Sequence, residues 1–459
     1  MSWLQNQVEQ NPHNLYVASG SQKWSCLEIN ELVQTYIQVL LREDIKSQDR
    51  ILIYLPSDKE LIAIILACFE IGAIAIPISR KMTKNERRVI IEKIQPKLII
   101  TNSEYKSVFT PYPFPLTSIE DLSNSSSMFT NEYEKNSDDV CAIVLTSGTT
   151  GIPKAVQLTY GNFETSCANW HNFLKFKDDD QFLCCLPLHH IGGLAVLIRA
   201  LIYGFSVNLV NEFQAEIVLK NIQNHPVTII SLVPTMLKRI LDIDGGLEAL
   251  KTLRHILLGG GPSPEYLLDI CIKEQLNIIK VYGMSETCSG TVGLKLLDEP
   301  QHKFYAGRPF PSTKVWIKND EIHISGPMVM KGYVEETETN GIHNSHDLGR
   351  INDDNLLFLD IRRKDLIVSG GEKINPLEVE ECLMNVRGIS DAAVVGKDDD
   401  EWGQKVTAYI VSTPFENELL NRELKKSLSP YKIPKEYIHV SYIPRNELGK
   451  IVYEKLKEL

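Results

Sequence analysis

The side chains with the clearest chemical potential lie between residues 146 and 154, directly after an apolar run at 141–145. The run predicts a buried strand. The polar segment that follows it contains Thr146, Ser147, Gly148, Thr149, Thr150, Gly151 and Lys154. Glycines let a backbone approach a ligand closely, while hydroxyls, N–H groups and an ammonium group bind anionic oxygens. Because the segment does not fit G-x-x-x-x-G-K-[ST], it is either a phosphate-binding loop of another kind or a polar surface turn.

Three other segments with ligand-binding side chains lie at the ends of predicted strands. They are Pro187-Leu188-His189-His190-Ile191-Gly192-Gly193, Gly259-Gly260-Gly261-Pro262 and Tyr282-Gly283-Met284-Ser285-Glu286-Thr287. Glu286 could bind Mg²⁺, which prefers one or two carboxylates together with substrate phosphates. Tyr282 could stack on a base, and Asp347 could accept hydrogen bonds from ribose hydroxyls. Taken singly, these residues could equally be a helix-start carboxylate, a core aromatic and a turn former.

The pair Cys184-Cys185 stands close to His189-His190, a composition that could form a metal site. Adjacent residues of an extended strand point to opposite faces, so we expect no shared centre. The nine cysteines form no C-x-x-C pair. This usage is typical of a reducing compartment, and no targeting segment stands out at the N-terminus, so we expect a cytoplasmic protein.

The elements that must position these loops alternate between apolar strands and helices. This alternation predicts a parallel sheet covered on both faces, with ligands bound where the strands end. Helices are predicted at 58–71 and after Thr83, and residues 117–139 are predicted to be a solvated loop. Strands are predicted near 50–55, 73–77, 97–101, 181–186, 206–210, 227–232, 255–258 and 277–281.

Near residue 303 the sequence pattern changes to short alternating strands, such as 314–317 and 321–325 around an Asn319-Asp320 turn. A charged run at 360–365 marks a boundary. Beyond it we predict a helix from Pro376, strands near 391–396 and 405–412, and a helix around 418–428. The predicted fold class is α/β, with a large N-terminal domain of parallel-sheet α/β subdomains plus a small antiparallel region (1–361) and a small α+β C-terminal domain (362–459).

Composition excludes several functional classes. The net charge of −11 over 459 residues argues against a general nucleic-acid binder. The most apolar stretch, residues 61–78, is interrupted by Glu70 and Gly72 and is predicted to be a buried helix followed by a strand. We therefore expect a soluble protein that does not insert into membranes.

In their order along the chain, these segments resemble the adenylate-forming superfamily, which includes acyl-CoA synthetases, peptide-synthetase adenylation domains and beetle luciferase. The resemblance spans nearly the whole chain, with residues 362–365, Gly370-Gly371-Glu372 and Gly449-Lys450 completing the set. It implies a large N-terminal domain, a small mobile C-terminal domain and two half-reactions. A carboxylate first attacks the α-phosphorus of ATP, giving an acyl-adenylate and pyrophosphate. The C-terminal domain then rotates, and a thiol, usually that of CoA, displaces AMP.

The resemblance also implies roles for individual residues. Catalysis would depend on Lys450, His190 and Glu286, with Glu286 as the Mg²⁺ ligand, and Lys364 would be the hinge. His190 and Gly283 would contact the acyl substrate, whereas His189 is expected to pack or to face solvent. ATP would be bound by Thr146, Ser147, Gly148, Thr149, Thr150, Gly151, Lys154, Gly259, Gly260, Gly261, Tyr282, Gly283, Met284, Ser285, Asp347 and Arg362. Ser345-His346-Asp347 departs from the common Thr-Gly-Asp, which is expected to put a bulky ring beside the ribose.

Within the superfamily, residues 186–194, 230–234 and 283–289 resemble the 2-succinylbenzoate–CoA ligases of menaquinone synthesis. This implies 2-succinylbenzoate, ATP and CoA as partners, with activation at the succinyl carboxylate and a polar group for the second carboxylate. A CoA ligase for another aryl or medium-chain acid is an alternative, as is an adenylation enzyme that loads a carrier protein. A non-catalytic nucleotide-binding protein would show erosion at Lys450, Glu286 or residues 146–154, and all are intact. Whether the chain forms a homo-oligomer is left open.

Overall fold

The computed structural model describes residues 2–121, 133–146, 153–261, 263–360, 367–369, 372–399, 402–413, 417–447, 449, 451–456 and 458. Several predictions concern residues outside this description. They are those on Ser147, Gly148, Thr149, Thr150, Gly151, Arg362, Lys364, Gly370, Gly371 and Lys450.

The helices and strands as far as residue 174 follow the alternation expected from the sequence. They are α1 (Trp3–Gln10), β1 (Leu15–Ser19), β2 (Gln22–Ser25), α2 (Cys26–Arg42), β3 (Arg50–Tyr54), α3 (Lys59–Ile71), β4 (Ile74–Pro77), α4 (Lys84–Ile94), β5 (Leu98–Thr101), α5 (Lys106–Phe109), β6 (Leu116–Ser118), β7 (Val140–Thr146), β8 (Lys154–Thr159) and α6 (Tyr160–Leu174).

The alternation continues through the middle of the chain. Its elements are β9 (Gln181–Cys184), α7 (Ile191–Tyr203), β10 (Ser206–Leu209), α8 (Ala215–Asn224), β11 (Ile229–Leu232), α9 (Pro234–Leu241), α10 (Gly246–Lys251), β12 (His255–Leu258), α11 (Glu265–Lys273), β13 (Ile278–Met284), β14 (Ser289–Lys295) and β15 (Arg308–Pro309).

Strands dominate the remainder. They and the helices among them are β16 (Lys314–Lys318), β17 (Glu321–Ser325), β18 (Gly332–Tyr333), β19 (Ile342–Ile351), β20 (Leu357–Asp360), β21 (Ile367–Ser369), β22 (Glu372–Ile374), α12 (Pro376–Met384), β23 (Ile389–Asp399), β24 (Gly403–Ser412), α13 (Asn417–Leu424), β25 (Glu436–His439) and α14 (Tyr453–Leu456).

Two large sheets carry the loops of interest. The first has the strand order β18-β8-β7-β4-β3-β5-β6, and the second has the order β15-β14-β13-β12-β11-β9-β10-β1-β2. In the second sheet β10, β9, β11, β12 and β13 are all parallel. The loops after β9, β12 and β13 therefore leave from the same edge, which confirms that three of the four segments gather at strand ends.

The fourth segment connects two antiparallel strands. β7 and β8 form a hairpin in which Thr146 is paired with Lys154, so the two ends of the predicted phosphate loop lie side by side. β8 then pairs antiparallel with β18, whereas β7 pairs parallel with β4. The expectation of a parallel sheet thus holds for the centre of this sheet and fails at its β8–β18 edge.

Two smaller sheets agree with the change of sequence pattern near residue 303. The order β16-β17-β19-β20 is antiparallel, and Asn319 and Asp320 form a two-residue turn between β16 and β17 with φ of 54° and 65°. This left-handed pair matches the twist of a hairpin. The C-terminal region has the order β22-β21-β24-β23, with β25 parallel to β24, and α12 packs on this sheet.

Local chemistry explains where the predicted helices begin and end. Asp58 accepts a hydrogen bond from the Leu61 N–H at the start of α3, and Gly72 closes that helix with a φ of 74°. Thr83 and Glu86 form a capping box at the start of α4. Proline occupies the first position of α12, where its missing N–H costs nothing.

Several predicted bounds differ from the structure; β23, for example, spans Ile389–Asp399 and exceeds the predicted 391–396 at both ends. Strand β9 ends at Cys184, two residues early, and β6 occupies 116–118, where a loop was expected from 117. Helix α13 ends at Leu424 because hydrogen bonds between residues three apart tighten the chain before Ser429-Pro430. Strand β13 extends to Met284, since its backbone stays paired with β14 through a bulge after Tyr282.

The apolar stretch 61–78 is divided as expected between α3 and β4, both buried. No helix in the described part of the chain is long and apolar enough to cross a membrane.

Candidate active site

Tyr282 and Asp347, which the sequence assigns to adenine and ribose, are in direct contact. The Tyr282 hydroxyl, at the end of β13, donates a hydrogen bond of 2.9 Å to Asp347 Oδ2, on β19. The Tyr282 side chain is largely buried, and the Asp347 N–H is held by Ser345 Oγ at 3.1 Å. The hydrogen bond therefore fixes the position of Tyr282, the predicted adenine contact, relative to Asp347, the predicted ribose contact.

His346, the bulky residue expected beside the ribose, has an exposed side chain. Its φ of 56° lies in the left-handed region, which explains why a glycine is common at this position. This backbone turns the imidazole outwards, and the side chain is 68% exposed and lies 3.6 Å from Glu321. The placement of this ring beside a bound ribose stays a prediction.

Glu286 is buried and contacts Tyr333, whose ring also lies against Lys154. The Tyr333 hydroxyl, on β18, donates a hydrogen bond of 2.9 Å to Glu286 Oε1, and the Lys154 Nζ lies 4.6 Å from the centre of the Tyr333 ring. Burial, followed by the negative charge of Glu286, raises the pKa of Tyr333, so the phenol stays protonated and remains a donor. Tyr333 thus joins the lysine at the start of β8 to the predicted magnesium ligand.

Neither Tyr333 nor the nearby His343 stands out in the sequence. Burial lowers the pKa of His343, and the charges of Glu286, Lys154 and Asp347 all act on this imidazole. Both residues lie on strands far along the chain from residues 282–287. Only the pairing of β18 with β8 and the path of β19 bring them to the site.

Backbone close to the predicted nucleotide site is packed too tightly for side chains. A Cβ at Gly283 would lie 2.1 Å from the Ser289 carbonyl oxygen, and one at Gly259 would lie 3.1 Å from the Val281 carbonyl oxygen. Gly260 has a φ of 81°, whereas Gly261 faces open space. Glycine is therefore sterically required at 283 and favoured at 260 by its backbone conformation, whereas a side chain at 259 would be tightly packed. Gly261 leaves room for a ligand.

His190 is placed by the start of α7. It is the N-cap residue of this helix, and a Cβ on Gly193 would lie 2.4 Å from the Pro187 carbonyl oxygen. Gly193 therefore lets α7 begin directly against the loop that carries the histidine.

His189 packs, which is one of the two settings expected for it, and its partner is a carboxylate close to the C-terminus. Its Nε2 lies 2.6 Å from Glu447 Oε2, and its side chain is 14% exposed. His190 Nε2 is 3.7 Å from the same oxygen. The segment just before Lys450 is therefore docked on the loop that carries both histidines.

Cys184 and Cys185 point to opposite faces, as expected, and pack into two different core clusters. Among the described residues, His189, His190 and Glu447 are close enough to share a metal ion, with ligand atoms within 4.8 Å of one another. The direct contact of His189 with Glu447 accounts for this arrangement without one.

Arg199 is a buried cation that the sequence analysis missed. It lies on α7 and is 3% exposed, and its Nη2 donates a hydrogen bond of 2.7 Å to Ser289 Oγ, three residues after Glu286. The guanidinium lies 4.7 Å from the Trp170 ring. Within the described residues, Arg199 Nε has no hydrogen-bond partner. Burial lowers the pKa of the guanidinium, and no carboxylate among these residues offsets this effect.

Comparison with known proteins identifies the class. A family model described as AMP-binding enzyme matches residues 4–334, and one described as AMP-binding enzyme C-terminal domain matches residues 378–450. The chain therefore belongs to the AMP-binding enzyme family.

Individual relatives agree over the full length. The 2-succinylbenzoate–CoA ligase of Bacillus licheniformis is 34% identical, with 99% of each chain covered. The o-succinylbenzoate CoA synthetase from Bacillus subtilis, in complex with the acyl-adenylate intermediate OSB-AMP, has a TM-score of 0.92 at 31% identity and covers 100% of this chain and 98% of its own. The same synthetase in complex with ATP and magnesium ion has a TM-score of 0.90 at 31% identity, with 99% of each chain covered.

Proposed function

We propose that this chain is an ATP-dependent acid–thiol ligase of menaquinone biosynthesis. It converts 2-succinylbenzoate, ATP and CoA into 2-succinylbenzoyl-CoA, AMP and pyrophosphate through an acyl-adenylate. The names of its full-length relatives support the reaction, and the motifs of the superfamily are retained.

The nucleotide roles follow the predicted assignments. Residues 146–154 bind the β- and γ-phosphates, and Gly259, Gly260, Gly261 and Tyr282 bind adenine. Asp347 and Arg362 bind the ribose, and the hydrogen bond from Tyr282 supports this arrangement. Met284 and Ser285 complete the set of predicted ATP-binding residues.

Glu286 is proposed to hold Mg²⁺ together with ATP phosphates. One carboxylate fits this ion, which is usually bound by few protein ligands and by substrate oxygens. When bound, the ion neutralises phosphate charge. Tyr333 orients the Glu286 carboxylate, and Lys154 supplies a second positive charge on the same side.

The buried guanidinium of Arg199 is the observation that supports 2-succinylbenzoate as the acid. A buried charge is costly unless it is paired, and this guanidinium pairs with no carboxylate in the described part of the chain. 2-Succinylbenzoate has two carboxylates. We assign its aromatic carboxylate to Arg199 and Ser289, and its succinyl carboxylate to the side of His190 and Gly283, where adenylation takes place.

Lys450 is proposed to balance the charge that develops at the α-phosphate and the acyl carboxylate. A preorganised donor of this kind contributes about 3 kcal/mol to catalysis. The boundary at 361–362 and the hinge at Lys364 remain proposals. The same holds for CoA as acceptor, cytoplasmic location and assembly into a homo-oligomer.

A substrate panel tests the function. Purified protein is incubated with ATP, Mg²⁺, CoA and 2-succinylbenzoate, 4-oxo-4-phenylbutanoate, benzoate or hexanoate, while AMP and thioester are measured. We expect kcat/KM for 2-succinylbenzoate to exceed that for 4-oxo-4-phenylbutanoate, which lacks the aromatic carboxylate, by roughly 100-fold. Higher activity with benzoate or hexanoate would refute the substrate, and adenylate without any thioester would refute CoA.

A further inference from the structure

The segment that precedes Lys450 is attached to the N-terminal region by one carboxylate. Ser79 Oγ donates a hydrogen bond of 2.8 Å to Glu447 Oε1, and the imidazole of His189 lies 2.6 Å from Oε2. The Glu447 side chain is 17% exposed. Both partners lie more than 250 residues earlier in the chain, so these hydrogen bonds form only when this segment is docked.

Hydrogen bonds within the C-terminal region hold the turn that carries Glu447. Arg445 Nη1 donates a hydrogen bond of 2.9 Å to the Gly449 carbonyl, and Asp391 holds the same guanidinium through a bond of 2.7 Å. The Gly449 N–H donates to the Asn446 carbonyl at 2.9 Å. The position of Glu447 therefore determines the position of the backbone at Gly449, one residue before Lys450.

Docking also depends on the shape of Gly449. Its φ is 72°, and a Cβ at this position would lie 2.4 Å from Thr235 Oγ1. The turn thus fits closely against the start of α9. Two contacts define how the segment meets the N-terminal region: the hydrogen bonds of Glu447 and the close steric fit of Gly449.

The charge of Glu447 is maintained in this partly buried setting. Burial alone would raise its pKa, but hydrogen bonds from His189, His190 and Ser79 outweigh burial and hold the pKa of Glu447 well below its ordinary value. The carboxylate is therefore ionised at neutral pH, and charge-assisted hydrogen bonds are about twice as strong as neutral ones.

We propose that Glu447 is a positioning residue for adenylation, which docks the Lys450 segment by binding Ser79 and His189. This proposal rests on the proposed function, since it assigns Lys450 to the first half-reaction. Glu447 also links the docked segment to the loop that carries His190. In the second half-reaction the C-terminal domain rotates, so the contact is broken and Glu447 contributes nothing.

Glu447→Gln tests the proposal in two separate assays. Adenylate formation is followed as pyrophosphate release from ATP and acid without CoA, and thioester formation is followed from supplied acyl-adenylate and CoA. We expect Glu447→Gln to slow the first by roughly 10- to 100-fold, the loss typical of a hydrogen bond to a charged group, and to leave the second within about twofold. Glu423→Gln is the matched control, because this carboxylate pairs with Lys426 on the exposed surface of the same region.

A double-mutant cycle separates docking from folding. His189→Ala and Glu447→Gln should each slow adenylation, and the double variant should be little slower than either single variant, with Tm unchanged in all three. Equal losses in both half-reactions, or strictly additive effects, would overturn the proposal. Failure of the wild-type protein to adenylate 2-succinylbenzoate would instead refute the proposed function. The cycle would then be measured with whichever acid of the panel is adenylated.

Discussion

Two arginines of this protein show how the same side chain can serve stability or binding. Arg254 pairs through Nε and Nη2 with Asp180, whose side chain is 1% exposed. Arg199 is more deeply buried and pairs with no carboxylate in the described residues. A fold that gained only stability from Arg199 would do better with an apolar residue, since an unpaired buried charge costs free energy. The cost is understandable if a ligand supplies the missing carboxylate.

Arg199→Met should therefore reduce activity selectively. We expect kcat/KM for 2-succinylbenzoate to fall about 100-fold, because its second carboxylate loses the charged group that binds it. The value for 4-oxo-4-phenylbutanoate, which has no second carboxylate, should change less than about threefold. The Tm should stay equal or rise. Steady-state kinetics with both acids and thermal unfolding check this.

Arg254→Met provides the contrast. It should lower stability by about 3 kcal/mol, since it leaves the Asp180 carboxylate buried and unpaired, and should leave the ratio of activities on the two acids unchanged. An equal loss of activity on both acids in Arg199→Met would contradict the assignment of the second carboxylate.

At the scale of elements, α12 carries an acid that is sensitive to pH near neutrality. The Glu380 carboxyl accepts a hydrogen bond of 2.8 Å from the Val394 N–H on β23, and burial raises its pKa from 4.5 to about 7. A raised carboxyl pKa means that the folded protein binds the proton more tightly than the unfolded chain. The resulting stability is fully present below pH 4.5 and is lost as the pH rises through about 7.

Glu380→Gln should remove this dependence, because an amide imitates the protonated acid and can still accept from Val394. We expect Tm of the variant and of the wild type to agree near pH 5, and the variant to become more stable as the pH rises to 8. Thermal unfolding at several pH values measures the difference. A constant difference across this range would show that Glu380 does not titrate as inferred, and Glu423→Gln serves as the exposed control.

Much of the fold could be predicted because its strands and helices are encoded locally. The apolar runs of β3, β4 and β9 to β13, the caps at Asp58 and Thr83, and the Asn319-Asp320 turn are all short-range signals. The antiparallel pairing of β8 with β7 and β18 could not be predicted, since it depends on contacts between distant segments.

The same reason limits the prediction of the site. Motif residues such as Tyr282, Glu286 and Asp347 stand out by type and spacing. Tyr333, the partner of Glu286, is selected only by strand pairing. Arg199 lies within an apolar helix, where the sequence alone cannot show whether a neighbouring acid balances its charge. Glu447 belongs to a recognised segment, but only the folded chain brings it to His189.

At the scale of the whole molecule, the proposed cycle requires the C-terminal region to leave the contact at Glu447 and return to it. Lys364→Pro should restrict the backbone at the proposed hinge, because proline fixes φ and removes an N–H. We expect the second half-reaction to slow by at least about tenfold, with adenylate formation nearly unchanged. Rapid-quench measurement of both steps checks this, and an unaltered second step would remove Lys364 from the hinge.

Helix α7 has a consequence for the choice of acid that goes beyond the individual contacts. His190 is its N-cap and Arg199 lies nine residues further along, so at 1.5 Å per residue the two Cα atoms are separated by roughly 13 Å along the axis. On the proposed roles, the acid must reach both the N-terminal end of α7, where its activated carboxylate lies, and Arg199, about two and a half turns further along the helix. The length and the bend of the acid therefore matter as well as its charge.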